Sequence, residues 1–258
     1  MNKSILIVAG LAVMGAANAQ LWVNGHNATT YQGVWDVAGA GSGGANVSVL
    51  DSTATGPGTT TYGFGSAASA SVRLSDDFTV GSGGGIATGM RIYAYQTGAT
   101  APTLTGVTVQ IFSGGTGGGV GGTNVYDSGT MITPTNPIFV AYRTLTTDMA
   151  TATTRRIYAY DVMFAAPVNL GAGQHWLNFT TAGSLASGPW VPPVVPFAGG
   201  NAAQSLDAGV TWAALANGTA PGGDELPFVV YGQAVPEPAT MTILGLGALA
   251  AWRRRNKK

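Results

Sequence analysis

The side chains able to do chemistry in this chain are few and widely spaced. His26 and His175 are the only imidazoles, and there is no cysteine. A zinc site would need both histidines plus carboxylates from distant parts of the sequence, and the spacing offers no such set. Disulfides and thiolate ligands are excluded outright. His175 shares strand parity with Leu177 and Phe179, which predicts an inward structural histidine. His26 lies in a polar segment near the N-terminus. The acids come as neighbours, Asp76-Asp77 and Asp224-Glu225, and Glu225 is the only glutamate between residues 20 and 234. Glycoside hydrolysis needs two carboxylates facing one bond, whereas adjacent acids in a strand point to opposite faces. A pair drawn from separate strands stays open, as do turn chemistry and a structural calcium site, although no D-x-D-x-D-G loop is present. No serine sits in a G-x-S-x-G elbow. Gly39–Gly44 and Gly117–Gly122 both satisfy G-x-G-x-x-G, but neither opens a helix, so both read as loops rather than nucleotide sites. The expectation is a protein with no catalytic residue, no metal and no cofactor.

Aromatic side chains are the other route to a function. Trp176 has the parity of Asn178 and Thr180, opposite Leu177 and Phe179, which predicts an exposed indole and a candidate carbohydrate contact. Trp22, Trp35, Trp190 and Trp212 are expected to fill the core. Arg91-Ile92-Tyr93-Ala94-Tyr95 recurs as Arg156-Ile157-Tyr158-Ala159-Tyr160. The flanks do not match, so this is no repeat architecture; it predicts two strands with similar packing duties, each placing its tyrosine pair on one face.

The elements that must position these residues are short strands between turn signals. Val107, Val109 and Ile111 alternate with Thr108 and Gln110, the period of a strand wet on one side. Further strands are expected over 71–80, 90–95, 138–144, 155–164, 174–181 and 228–232, with 21–23 and 33–37 as candidates. Gly81–Gly85, Gly114–Gly122 and Gly199–Gly200 separate or flank these runs. Residues 38–45 and 52–61 read as flexible loops. No sustained helical period occurs in residues 20–234, so the fold class is all-β, an antiparallel, jelly-roll-like β-sandwich with glycine-rich loops.

Charge narrows the partners. The formal net charge is zero, but residues 20–235 contain no lysine and only five arginines, Arg73, Arg91, Arg143, Arg155 and Arg156. Against ten acids this leaves a net of −5. With no basic cluster there is no footprint for nucleic acid.

The two ends carry the strongest signals. Lys3, the apolar run Ile5–Ala16 and the small-x-small site Ala17-Asn18-Ala19 before Gln20 read as a signal peptide over residues 1–19, for removal by signal peptidase. A β-sandwich domain would then occupy 20–234. At the other end come Val235-Pro236-Glu237-Pro238, an apolar run of 14 residues from Ala239 to Trp252, and the basic stop Arg253-Arg254-Arg255. The run is short for a membrane span, and snorkelling of the arginines would lengthen it. The positive end would stay cytoplasmic, leaving residues 20–234 outside the inner membrane.

Pro236-Glu237-Pro238, the apolar segment containing Gly245-Leu246-Gly247, and Arg253-Arg254-Arg255 together resemble the PEP-CTERM sorting signal, over residues 235–258. The resemblance implies an exported protein of Gram-negative bacteria processed by an exosortase, a membrane-embedded cysteine protease cutting near the Pro-Glu-Pro motif. It further implies a cell-surface or extracellular structural role in exopolysaccharide, biofilm or floc. Membrane contact would then be limited to the C-terminal helix before processing.

Overall fold

The computed structural model describes residues 19–50, 61–196, 199–215 and 223–236. The expected signal peptide up to residue 18, including Ala17, lies outside the described residues. So do Glu237, Pro238, the apolar C-terminal run and Arg253-Arg254-Arg255.

The chain is mostly β, and two six-stranded sheets curl into a half-barrel. The first sheet runs β1 (Gln20–Asn24), β14 (Phe228–Ala234), β5 (Gly85–Ala94), β9 (Arg156–Leu170), β8 (Thr135–Leu145) and β2 (Val47–Leu50). The second runs β13 (Ala213–Ala214), β12 (Ala203–Ser205), β4 (Arg73–Val80), β10 (Gly173–Gly183), β6 (Leu104–Ser113) and β7 (Thr123–Asp127). A two-residue pair joins β3 (Phe64–Gly65) to β11 (Trp190–Val191).

Alternation builds the core as expected. Val107, Val109 and Ile111 of β6 are fully buried, and so are Leu74 of β4 and Met90 and Ile92 of β5. With Phe78, Leu177, Phe179, Tyr158, Tyr160, Val162 and Phe228 they form one cluster between the sheets. Two expectations fail. Residues 33–37 make only isolated bridges, Gln32 with Trp35 and Val37 with Val47, because this stretch folds as a cover over the first sheet rather than joining it. The sheets are also not purely antiparallel, since β2 pairs in parallel with β8.

That parallel edge is held by a buried cation. Arg143 on β8 has no exposed surface. Its Nη1 donates to Ser48 Oγ at 3.1 Å and the Val49 carbonyl at 3.0 Å, both on β2. Its Nε donates to the Tyr62 carbonyl at 3.0 Å, and Nη2 reaches the Thr61 carbonyl. Burial lowers its pKa to about 10, which still leaves the guanidinium charged at neutral pH. Replacing Arg143 by Met removes four buried hydrogen bonds, three of them to carbonyls, while relieving the desolvation of one charge. The expected net loss is about 2–4 kcal/mol of unfolding free energy, read as a lower urea midpoint with an unchanged m-value.

Candidate functional site

The structure corrects the reading of Trp176: its indole is only 3% exposed. Parity is as expected, since Trp176 lies beside Asp77 of β4 and Phe112 of β6 on the outer face of the second sheet. That face is not wet there, because the glycine-rich run folds back over it. Asn178 donates through Nδ2 to the Gly118 carbonyl at 2.7 Å, tying the Gly117–Gly119 turn to β10. Gly118 and Gly119 both have φ of +78°. A side chain on the first would run into the Trp212 ring, and one on the second into Phe112, so only glycine permits this cover. Trp22, Trp35, Trp190 and Trp212, expected inside, are half-buried.

The echoed pentapeptides are neighbours in the first sheet, but their register opposes them. Tyr93 pairs with Ala159 and Ala94 with Tyr158. Tyr158 and Tyr160 therefore enter the core between the sheets, while Tyr93 and Tyr95 point to the outer face, in a cluster with Val34, Ile157 and Ala159. The two strands do not share packing duties. On the outer face a polar network grows from Arg91, whose Nε lies 2.8 Å from Asp161 Oδ1. The same oxygen accepts from the Tyr231 hydroxyl, and Asn136 donates to Asp161 Oδ2 at 3.3 Å. Arg91 also donates to the Tyr31 hydroxyl at 3.3 Å. Tyr31 and Asn136 both hold left-handed backbones, with φ of 60° and 49°. Such conformations persist where neighbouring contacts fix them, and here both residues converge on one ion pair. The network clamps the 26–37 cover to β5, β8, β9 and β14.

His26 extends that clamp. Its Nδ1 lies 2.7 Å from the Asn24 carbonyl and its Nε2 2.7 Å from the Tyr93 hydroxyl. A carbonyl only accepts, so the proton sits on Nδ1 and Nε2 accepts from the tyrosine. Burial lowers the His26 pKa to about 4, keeping the ring neutral. His175 is inward as expected, stacked on Phe78 at 5.4 Å with Nε2 on the Gly171 carbonyl at 2.9 Å.

The structure does bring distant acids together, Asp77 on β4 and Glu225 in the loop before β14. Asp77, Glu225, Gly199, Gly200 and Asn201 line one recess of about 350 Å³. Asp76, one residue away, is fully buried and spent on structure. Its Oδ2 accepts from Asn24 Nδ2 at 3.0 Å and the Leu226 amide at 2.7 Å, and its Oδ1 accepts from the Asp77 amide at 2.8 Å. Burial, then the nearby Glu225 charge, raise its pKa well above the usual carboxylate range. Burial also raises that of Glu225. Asp77 accepts from Gln174 at 2.7 Å. The recess thus offers two reachable carboxylates, Asp77 and Glu225, while Asp76 cannot meet a substrate. Among the described residues no group of three His, Cys, Asp or Glu side chains is arranged to hold a metal.

The last site is the junction with the C-terminal segment. β14 ends at Ala234, the Val235 amide donates to the Gly84 carbonyl at 3.0 Å, and Pro236 follows. At the other end Gln20 opens β1 and pairs with Tyr231, while the Gly232 amide donates to the Ala19 carbonyl at 2.7 Å. The two junctions lie side by side. Residues 234–255 match the family model of the PEP-CTERM protein-sorting motif. No curated protein and no solved structure matches the chain. The motif is that of exported proteins processed by an exosortase and sorted to the cell envelope or surface.

The His26 shift sets a pH dependence. A histidine whose folded pKa lies below its unfolded value stabilises the fold above about pH 6.5 and loses that contribution as pH falls towards 4. The raised Asp76 and Glu225 act oppositely, favouring the fold on acidification. Comparison with His26→Gln isolates the histidine. Between pH 7 and 4.5 the wild type should lose up to about 3 kcal/mol more unfolding free energy than the variant in urea titrations.

Proposed function

We propose that this chain, which carries a PEP-CTERM protein-sorting motif, is a structural component of the cell surface or extracellular matrix. In this reading signal peptidase cuts after Ala19, and an exosortase cuts near Pro236-Glu237-Pro238 while Arg253-Arg254-Arg255 hold the tail at the cytoplasmic side. The observation that carries the reading is the match of residues 234–255 to the sorting motif.

The fold supports it at both junctions. Among the described residues every strand ends by Ala234, so a cut near the Pro-Glu-Pro motif shortens none of them. A cut after Ala19 leaves β1 whole from Gln20 and gives up the bond from the Gly232 amide to the Ala19 carbonyl. Support for a non-catalytic role comes from Asp76, beside the acid recess but not in its lining, which is fully buried and held by three donors. Association with exopolysaccharide belongs to the same reading. The domain has no basic patch to hold an anionic polymer, so contact with a glycan would rest on aromatic and amide groups.

Mass spectrometry of protein recovered outside the cells tests the proposal. A species running from Gln20 to near residue 238 is expected. In a variant with Pro236→Ala, Glu237→Gln and Pro238→Ala, residues 239–258 should stay attached and the protein should remain in the membrane fraction. Identical masses for both, with the tail present, would sink the exosortase reading.

A further inference from the structure

The two-stranded pair of β3 and β11 turns Phe64 and Val191 into the core between the sheets. Trp190 of β11, directly opposite Gly65 of β3, faces away from that core. Gly63, Gly65, Gly188, Val72, Gln204 and Leu206 wall a recess of about 390 Å³ around its ring, a size within the range of ligand sites. Val72 is shared with a second recess of about 220 Å³, walled by Arg73, Thr108, Thr180 and Met131 among others. Leu206 (70% exposed) borders the first recess and Met131 (44%) the second.

Three features define what would lie there. The ring of Trp190 is half-exposed and fixed, with Nε1 on Ser187 Oγ at 3.3 Å. The residue opposite has no side chain, and a Cβ on Gly65 would lie 3.6 Å from the ring; glycine keeps that flank of the indole uncovered. Secondly, the polar groups are amides and hydroxyls. Gln204 spends Nε2 on the Gly65 carbonyl at 2.9 Å, leaving its Oε1 as an acceptor. Lastly, the larger recess has no charged group, and Arg73 at the smaller one already donates to Gln110 at 2.9 Å.

We propose that the larger recess binds uncharged polysaccharide, with Trp190 stacked on the apolar face of one sugar ring and Gln204 Oε1 accepting from a ring hydroxyl. The proposal rests on the extracellular role argued above and names the surface through which glycan is held. A flat apolar face ringed by hydroxyls matches an indole beside an uncharged amide.

The test is co-sedimentation of the full-length chain, purified in mild detergent, with microcrystalline cellulose, curdlan and calcium-alginate beads. It needs no processing of the tail, so its outcome is independent of the exosortase reading. Binding to at least one of the two neutral glucans is expected, weakened about tenfold or more in Trp190→Ala with an unchanged far-ultraviolet circular dichroism spectrum. Gly65→Val, whose methyl groups would cover the ring at ordinary contact distance, should give the same loss and serves as the reading if Trp190→Ala does not fold. Unchanged binding in the folded variants overturns the proposal. So does binding to alginate alone, or to none of the three.

Discussion

The pairing of the first strand with the last, from Gln20 opposite Tyr231 to Asn24 opposite Phe228, joins the two ends of the domain in one ladder. β14 is not an edge strand. It lies between β1 and β5, pairing with Arg91 and Met90 on its other side. The first sheet is therefore open along the flank of β5 until the final residues of the domain arrive, and β1 has no partner before then. Such a long-range pairing carries the loop-closure cost before it returns any contact. Folding must thus finish at the same place where the sorting motif begins. Ala19 and Val235 each bond to the backbone beside this ladder, at Gly232 and Gly84.

A cysteine-free exported domain has to cross-link its layers by other means, and two buried ionisable side chains take that role. Arg143 ties β8 to β2 and to residues 61–62. Asp76 ties β4 of the second sheet to Asn24 and Leu226 at the edge of the first. Each bond to a charged group contributes about 1.5–3 kcal/mol, but taking the charge out of water costs several kcal/mol. The net gain is small; the effect is on which arrangement forms. A slipped register would leave either group unpaired inside the core, so both act against misassembly more than for raw stability.

How far the sequence could be read follows from what each pattern depends on. Strand parity depends only on local geometry, so Val107, Val109 and Ile111 are inward as their alternation predicts, and His175 with them. Burial depends on what lies above the strand. Trp176 has the expected parity but is covered by a turn some sixty residues earlier in the chain, whose glycines look like a spacer rather than a lid. The pentapeptide echo misleads for a related reason. Identical residues in antiparallel neighbours face the same way only if the register pairs like with like, and Tyr93 meets Ala159 instead. β2, with four residues, is too short for its alternation to stand out, and its partner is parallel and distant. The meeting of Asp77 and Glu225 in one recess was open in sequence because it depends on where the loop before β14 lies against β4, not on spacing.

Charge accounts for the rest. All five arginines of the domain are engaged internally: Arg73 with Gln110, Arg91 with Asp161, Arg143 with its carbonyls, Arg155 over the Tyr62 ring at 3.8 Å, and Arg156 with the Thr100 carbonyl at 2.7 Å. With no lysine between residues 20 and 235, the domain presents no uncommitted cation to hold a polyanion. Its net charge of −5 repels a polyanion at long range, so any hold on one would have to come from short-range contact.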